Sequence, residues 1–208
     1  MGKLFYVDMD DLTKIEAALG MARDKSRMVL KAAINNAAKQ TEGSMVDKAR
    51  DKYRYKKGTK GDIREANSIK KAKAGDLAAT IEAKGDVNEF LDFHVRPSTY
   101  FPGGKGAPSW VKARVLRNGD FHKIALRPGA DGDKYKGFVI RYRSGHLALA
   151  QRVPGKRMES KPDKEFVKSL LSVSTPKMEE TVYREEIDDD MYDILMKNIE
   201  EQMKRYIK

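Results

Sequence analysis

The chain has 208 residues and a formal net charge of +11, and with 35% of its residues charged it reads as a soluble, rather polar protein. It has no cysteine, which excludes disulfides, thiol catalysis and cysteine-based zinc sites. No run of about 18 apolar residues exists to span a membrane, and the start MGKLFYVDMD offers neither a signal-peptide apolar region nor the Ser/Thr that myristoylation prefers.

The length suits one domain, residues 1–208, of α+β class: a long N-terminal helix, an antiparallel sheet of hairpins and a long C-terminal helix. The expected divisions are a helical region 1–60, a sheet region 61–155 with a loop at 97–109, and a helix over 174–208. Charge is unevenly spread. Residues 105–157 hold thirteen Lys/Arg against Asp120, Asp131 and Asp133, whereas residues 179–193 hold eight Asp/Glu against Arg184 alone. Such asymmetry suits nucleic acid at one face or an oppositely charged neighbouring subunit.

Residues 10–53 contain no proline and carry apolar side chains at helical spacing: Leu12, Ile15, Leu19 and Ala22, then Val29, Ala33 and Ala37. Asp11 or Thr13 can cap the start. One long helix is expected, or two broken near 20–26, with an Ala-rich face that lets a neighbour approach closely. A turn follows at Gly58-Thr59-Lys60-Gly61.

Strand patterns begin near Ile69. SIKKAKA and LAATIEAKG flank Gly75-Asp76 and read as a hairpin. EFLDFHVR, 89–96, alternates and reads as one strand ending at Pro97. Residues 97–109, PSTYFPGGKGAPS, hold three prolines and three glycines and read as a flexible assembly or substrate-contact loop, with Tyr100, Phe101, Lys105 and Trp110 as its contact residues for assembly. Gly103-Gly104-Lys105-Gly106 lacks the spacing of a phosphate-binding loop.

Two further hairpins follow. Segments 110–117 and 120–126 flank Asn118-Gly119, a dipeptide suited to a two-residue type I′ turn. That turn pairs Arg117 with Asp120, Val115 with His122, Ala113 with Ile124 and Val111 with Leu126. Residues 127–136 read as a solvated turn, since Asp131-Gly132-Asp133 is too short for a calcium loop. Segments 138–143 and 146–152 flank Ser144-Gly145. A two-residue loop there puts Phe138, Ile140 and Tyr142 beside Leu147 and Leu149, and puts Arg141 and Arg143 with His146, Ala148 and Ala150. A connector is expected over 153–162 and a short apolar segment over 166–173.

Thr175-Pro176 then starts a helix as N-cap and N1. Tyr183, Ile187, Met191, Leu195, Ile199 and Met203 recur every four residues, so a single helix to Tyr206 would measure about 46 Å at ~1.5 Å per residue. Ile187, Met191, Leu195 and Ile199 form its packing stripe, which either meets another subunit or folds back on the N-terminal helix.

Candidate chemistry is sparse. His94, His122 and His146 fall on three separate expected strands, and Ser144 lacks the GxSxG elbow. The sheet offers only Glu89, Asp92 and Asp120 as carboxylates for a two-metal nuclease. No catalytic residue, metal set or cofactor is assigned. The stronger lead is a basic sheet face of Lys112, Arg114, Lys123, Arg141 and Arg143, able to make nonspecific phosphate contacts or to meet an acidic neighbour. No RNP, KH or zinc-finger pattern accompanies it.

The order of segments carries a further signal. Leu30-Lys-Ala-Ala-Ile-Asn-Asn-Ala-Ala-Lys39 runs into a basic stretch. The 69–81 region, Phe90-Leu-Asp-Phe93, a glycine-rich loop and the 111–126 hairpin follow. Gly137-Phe138 through Ser144-Gly145-His146 to Gln151-Arg152, and Leu171-Ser-Val-Ser-Thr-Pro176-Lys-Met178, complete the series. Over roughly residues 28–180 this resembles the prophage minor tail protein Z, or tail completion, family of tailed bacteriophages. Where that family usually shows Gly-Pro-Ser before its final helix, this chain reads Val173-Ser174-Thr175-Pro176. The resemblance implies a structural virion protein, not an enzyme, assembled in the bacterial host cytoplasm. It would form a homo-oligomeric ring, commonly sixfold, at the head-proximal end of the tail. Its partners would be neck or connector proteins, tail tube or terminator proteins, and DNA in the channel, with no membrane.

Overall fold

A computed structural model describes residues 3–6, 13, 17, 23–56, 63–108, 110–124 and 137–206. The architecture is α+β, made of an N-terminal helix, three small antiparallel sheets and C-terminal helices. The chain forms two compact units: Met1–Ala49 with Gly61–Gly85 and Thr175–Lys208, and Arg50–Lys60 with Asp86–Ser174.

The first unit is built on helix α1, Arg23–Lys52, whose last three residues count with the second unit. Its buried positions include Val29, Leu30, Ala33, Ile34, Ala37 and Ala38, a double stripe of the kind that helical periodicity produces. Strands β1 (Lys3–Tyr6), β2 (Asn67–Lys70) and β3 (Ala78–Ala83) form a sheet in the order β1-β3-β2. Strand β1 was not foreseen, since four residues are too few for a periodic signal. The β2–β3 hairpin forms as expected, with Ile69 opposite Ile81. Its turn centres on Ala74-Gly75, because Lys73 and Asp76 exchange both backbone hydrogen bonds. Beyond β2, Asn35 of α1 grips the backbone of Ala72: Oδ1 accepts its N–H at 2.8 Å, and Nδ2 donates to its carbonyl at 3.2 Å. The helix side chain thus satisfies backbone groups that lie beyond the end of β2.

The C-terminal helix is two helices, a correction to the single 46 Å rod. Helix α2 spans Thr175–Glu186 and α3 spans Met191–Tyr206, with a 3-10 turn over Asp188–Asp190 between them. Three successive aspartates are poor helix formers that repel one another, whereas carboxylates are favoured at a helix N-terminus. They therefore end one helix and start the next. The apolar stripe survives the break. Ile187 and Ile199 are buried, Met191 and Leu195 are half-buried, and Ile199 packs with Leu30 and Ala33 of α1. Asn198 adds a hydrogen bond to Gln40 at 3.1 Å. Of the two dispositions open in the sequence, α3 folds back on the N-terminal helix.

The second unit packs two three-stranded sheets. One holds β4 (His94–Arg96), β5 (Lys112–Arg114) and β6 (His122–Lys123); the other holds β7 (Gly137–Arg141), β8 (Leu147–Met158) and β9 (Lys161–Ser169). Their shared core comprises Val95, Val111, Ala113, Val139 and Leu149.

Four expectations in this unit are corrected. Phe90–Asp92 is a 3-10 turn and not strand, because the Asp92 carboxylate accepts the Glu89 N–H at 2.8 Å and closes the chain on itself. The β5–β6 register places Ala113 opposite His122, two residues away from the expected pairing. Neither Asn118 nor Gly119 has positive φ, so no type I′ turn forms. Instead Leu116 pairs with Tyr53, and Arg54 N–H donates to the Val115 carbonyl at 2.7 Å. The β7–β8 hairpin has a three-residue loop, since Tyr142 N–H bonds the His146 carbonyl and Gly145 takes φ +85. This one-residue slip sets Arg141 opposite Leu147, away from Ala148 and Ala150. Finally, the expected connector is strand. Pro154 and Gly155, with Gly155 at φ +71, are absorbed in a register irregularity between Val153 and Arg157, and Pro162 lies on the edge strand β9.

The N-cap candidates Asp11 and Thr13, the early stripe 12–22, the turns 58–61 and 127–136, and Leu126 fall on or beside residues outside the described set.

Candidate nucleic-acid interface

The open face of the β4–β5–β6 sheet concentrates positive charge. Cross-strand partners share a face, so the register Arg96↔Lys112↔Lys123 sets three cations abreast across three strands. The next row pairs His94 with Arg114. Like charges directly opposite one another destabilise a sheet, and the burial of Val95, Val111 and Ala113 on the reverse face fixes the arrangement nonetheless.

Aromatic rings hold several of these cations in place. Arg96 and Arg114 lie over the Phe121 ring, at 4.5 and 5.2 Å from its centroid, and His94 meets the same ring edge-on at 4.9 Å. Lys123 lies 4.7 Å from the centroid of the Trp110 ring. Ring faces are electronegative, so they orient guanidinium and ammonium groups without neutralising them. Burial pushes the His94 imidazole pKa down, and the field of Arg114, Arg96, Arg54 and Lys56 pushes it further. Neutral His94 then accepts from Arg114 Nη2 at 3.5 Å through Nδ1. Arg54 and Lys56 reach this patch because residues 53–56 run beside the sheet: Lys56 N–H bonds the Asp92 carbonyl, and its ammonium bonds the Leu91 carbonyl at 2.8 Å.

The residues singled out in the sequence divide into two sets. Lys112, Arg114 and Lys123 share the face just described. Arg141 stands in the other sheet and, with Tyr100 and Phe101 of the 97–109 loop, lines a cavity of about 480 Å³. Arg143 lies exposed in the hairpin loop. Lys105 is exposed in its own loop, and Trp110 belongs with the first set. Arg54, Lys56, His94, Arg96 and Phe121 were missed as site residues. The sequence carries a signal for Arg96 and His94, since both sit at strand positions of one parity, but the same alternation extends to Phe90 and Asp92, which form a 3-10 turn.

Two of the three carboxylates that a metal site would need, Asp92 and Glu89, have other partners. Asp92 caps Glu89, and Glu89 Oε2 lies 3.0 Å from His146 Nε2, whose ring stacks on Tyr142. Among the described residues no group of His, Asp or Glu is arranged to hold a metal ion, and no helix is long and apolar enough to cross a membrane. Comparison with protein-family models, with curated proteins and with solved structures finds no match.

Proposed function

We propose that the chain is a structural virion protein of a tailed bacteriophage, at the head-proximal end of the tail. There it completes the tail and joins it to the neck as a homo-oligomeric ring around the DNA channel. The reading rests on the ordered series of segments that resembles the tail completion family. The observation that best supports it is the row Arg96, Lys112 and Lys123 with its aromatic clamps, a surface suited to a passing polyanion. Because the cations are exposed and carry no base-reading motif, the contact suits backbone without sequence preference.

The test is location and assembly. In particles of the phage genome that encodes the chain, immunogold label is expected at the head-proximal tail end. Deleting the gene is expected to leave tails unjoined to heads. Complete, infectious particles lacking the chain would contradict the proposal.

A second reading, a nonspecific nucleic-acid-binding protein acting as monomer or dimer, is favoured by the same face with Arg54 and Lys56 beside it. It requires duplex binding in a gel shift that weakens steeply with salt. Virion assembly unimpaired by a variant that has lost all duplex binding leaves that reading without a role.

A further inference from the structure

Two exposed features of opposite charge remain unexplained by the basic sheet face. One is the cavity of about 480 Å³ beneath the 97–109 loop. Tyr100, Phe101 and Phe138 give it aromatic walls, Val139 gives it an apolar floor, and Arg141 and Arg152 supply its cations. The Arg152 guanidinium is oriented by the Phe138 ring, 5.6 Å away.

The other is the α2–α3 junction. Residues 185–193 carry six acidic side chains and no basic one. From their midst projects Tyr192, 64% exposed, the most exposed large hydrophobic side chain among the described residues. Asp189, Asp190 and Asp193 are exposed around it. A tyrosine ring held at the first turn of a helix is costly to leave in water, and few rotamers need freezing to bury it.

We infer that Tyr192 of one copy docks in the Arg141/Arg152 cavity of the next, with Asp189, Asp190 and Asp193 meeting the two arginines. The ring enters an apolar, aromatic-walled space, and the carboxylates pair with guanidinium groups suited to bidentate contact. Tyrosine and arginine are also the residue types that most often carry binding energy at interfaces. Knob and socket are different surfaces, so the contact is head-to-tail, the type that closes rings. The inference rests on the oligomeric reading above and names the surfaces that make it.

The experiment is analytical ultracentrifugation of the full chain as wild type, as R141E, as Y192A and as D189K/D190K. All four substituted positions are on the surface, and far-UV circular dichroism checks that the folds match. Wild type is expected to sediment as a multi-copy assembly and each variant as a monomer, with association weakened at least tenfold. An equimolar mixture of R141E and Y192A retains one intact knob and one intact socket, and its other contact sets the R141E carboxylate against Asp189 and Asp190 without the tyrosine, so it is expected to give a one-to-one dimer and nothing larger. Variants that assemble like wild type overturn this interface and leave the ring reading standing. A wild type that stays monomeric at every concentration overturns both.

Discussion

In the first unit Glu42 and Glu179 lie buried around a single asparagine. In the second, Arg96, Lys112 and Lys123 stand abreast on an open face. Asn67 Nδ2 donates to Glu179 Oε1 at 2.7 Å and to Glu42 Oε1 at 3.4 Å, and Arg64 reaches Glu42 from the surface at 3.7 Å. Glu179 is wholly buried and its Oε2 has no partner, so burial, helped by the Glu42 charge, lifts its pKa to about 7. The Glu179 charge is thus removed by protonation as pH falls below about 7, whereas the basic charge is held on display by ring faces. A buried carboxyl with one unmet oxygen is a cost to the fold, while an exposed cation row is a cost that a bound anion relieves. The first pattern belongs to packing and the second to contact with a partner.

The comparison can be broken most forcefully at the core. Leu30→Ala keeps helix propensity in α1 but empties the contact with Ile199, and it is expected to cost about 2–5 kcal/mol in urea unfolding. A cost below about 1 kcal/mol would mean α3 does not pack on α1. Next is the buried acid. Glu179 has a folded pKa raised above its ordinary value of 4.5, so its contribution is intact below pH 4.5 and is lost as pH rises towards about 7. Stability is expected to fall by about 3 kcal/mol across that window. Glu179→Gln should flatten this part of the profile and leave stability at pH 4 nearly unchanged; an unaltered profile would show Glu179 to be solvated.

The basic face sharpens the other half of the comparison. Replacing Arg96 and Arg114 together by alanine is expected to weaken duplex DNA binding on the order of tenfold or more, and to lower the salt slope by about two. Their aromatic partner Phe121 is half-exposed, so unfolding stability should move little. Smallest are the turns. Gly145→Ala is expected to cost about 1 kcal/mol because φ is +85 there, whereas Asn118→Ala should be near neutral, its φ being negative. Equal effects at both positions would restore the two-residue loops that the sequence suggested.

Those loops mark where sequence reasoning stopped short. The α+β class, the Val29, Ala33 and Ala37 stripe and the β2–β3 hairpin were legible because each rests on local periodicity. The registers were not, because they depend on partners distant in sequence. Leu116 is drawn to Tyr53, 63 positions earlier in the chain, and Gly145 can serve a two- or three-residue loop equally well until the strands pack. The second half of β8 was hidden by Pro154 and Gly155, tolerated at a register irregularity, and β9 by Pro162, tolerated on a sheet edge. The basic face was half legible: Lys112, Arg114 and Lys123 were grouped by parity, while Arg54 and Lys56 enter from another segment altogether. Arg141 left the group because its strand belongs to the other sheet, where it lines the cavity with Tyr100 and Phe101.

The proposed role makes this chain one copy in a closed ring. Native mass spectrometry of the full chain, over a range of concentrations at moderate salt, tests it most directly. One discrete assembly is expected, about six copies, whose mass stays fixed as concentration rises. A monomer under every condition, or a ladder of masses growing without limit, would contradict it.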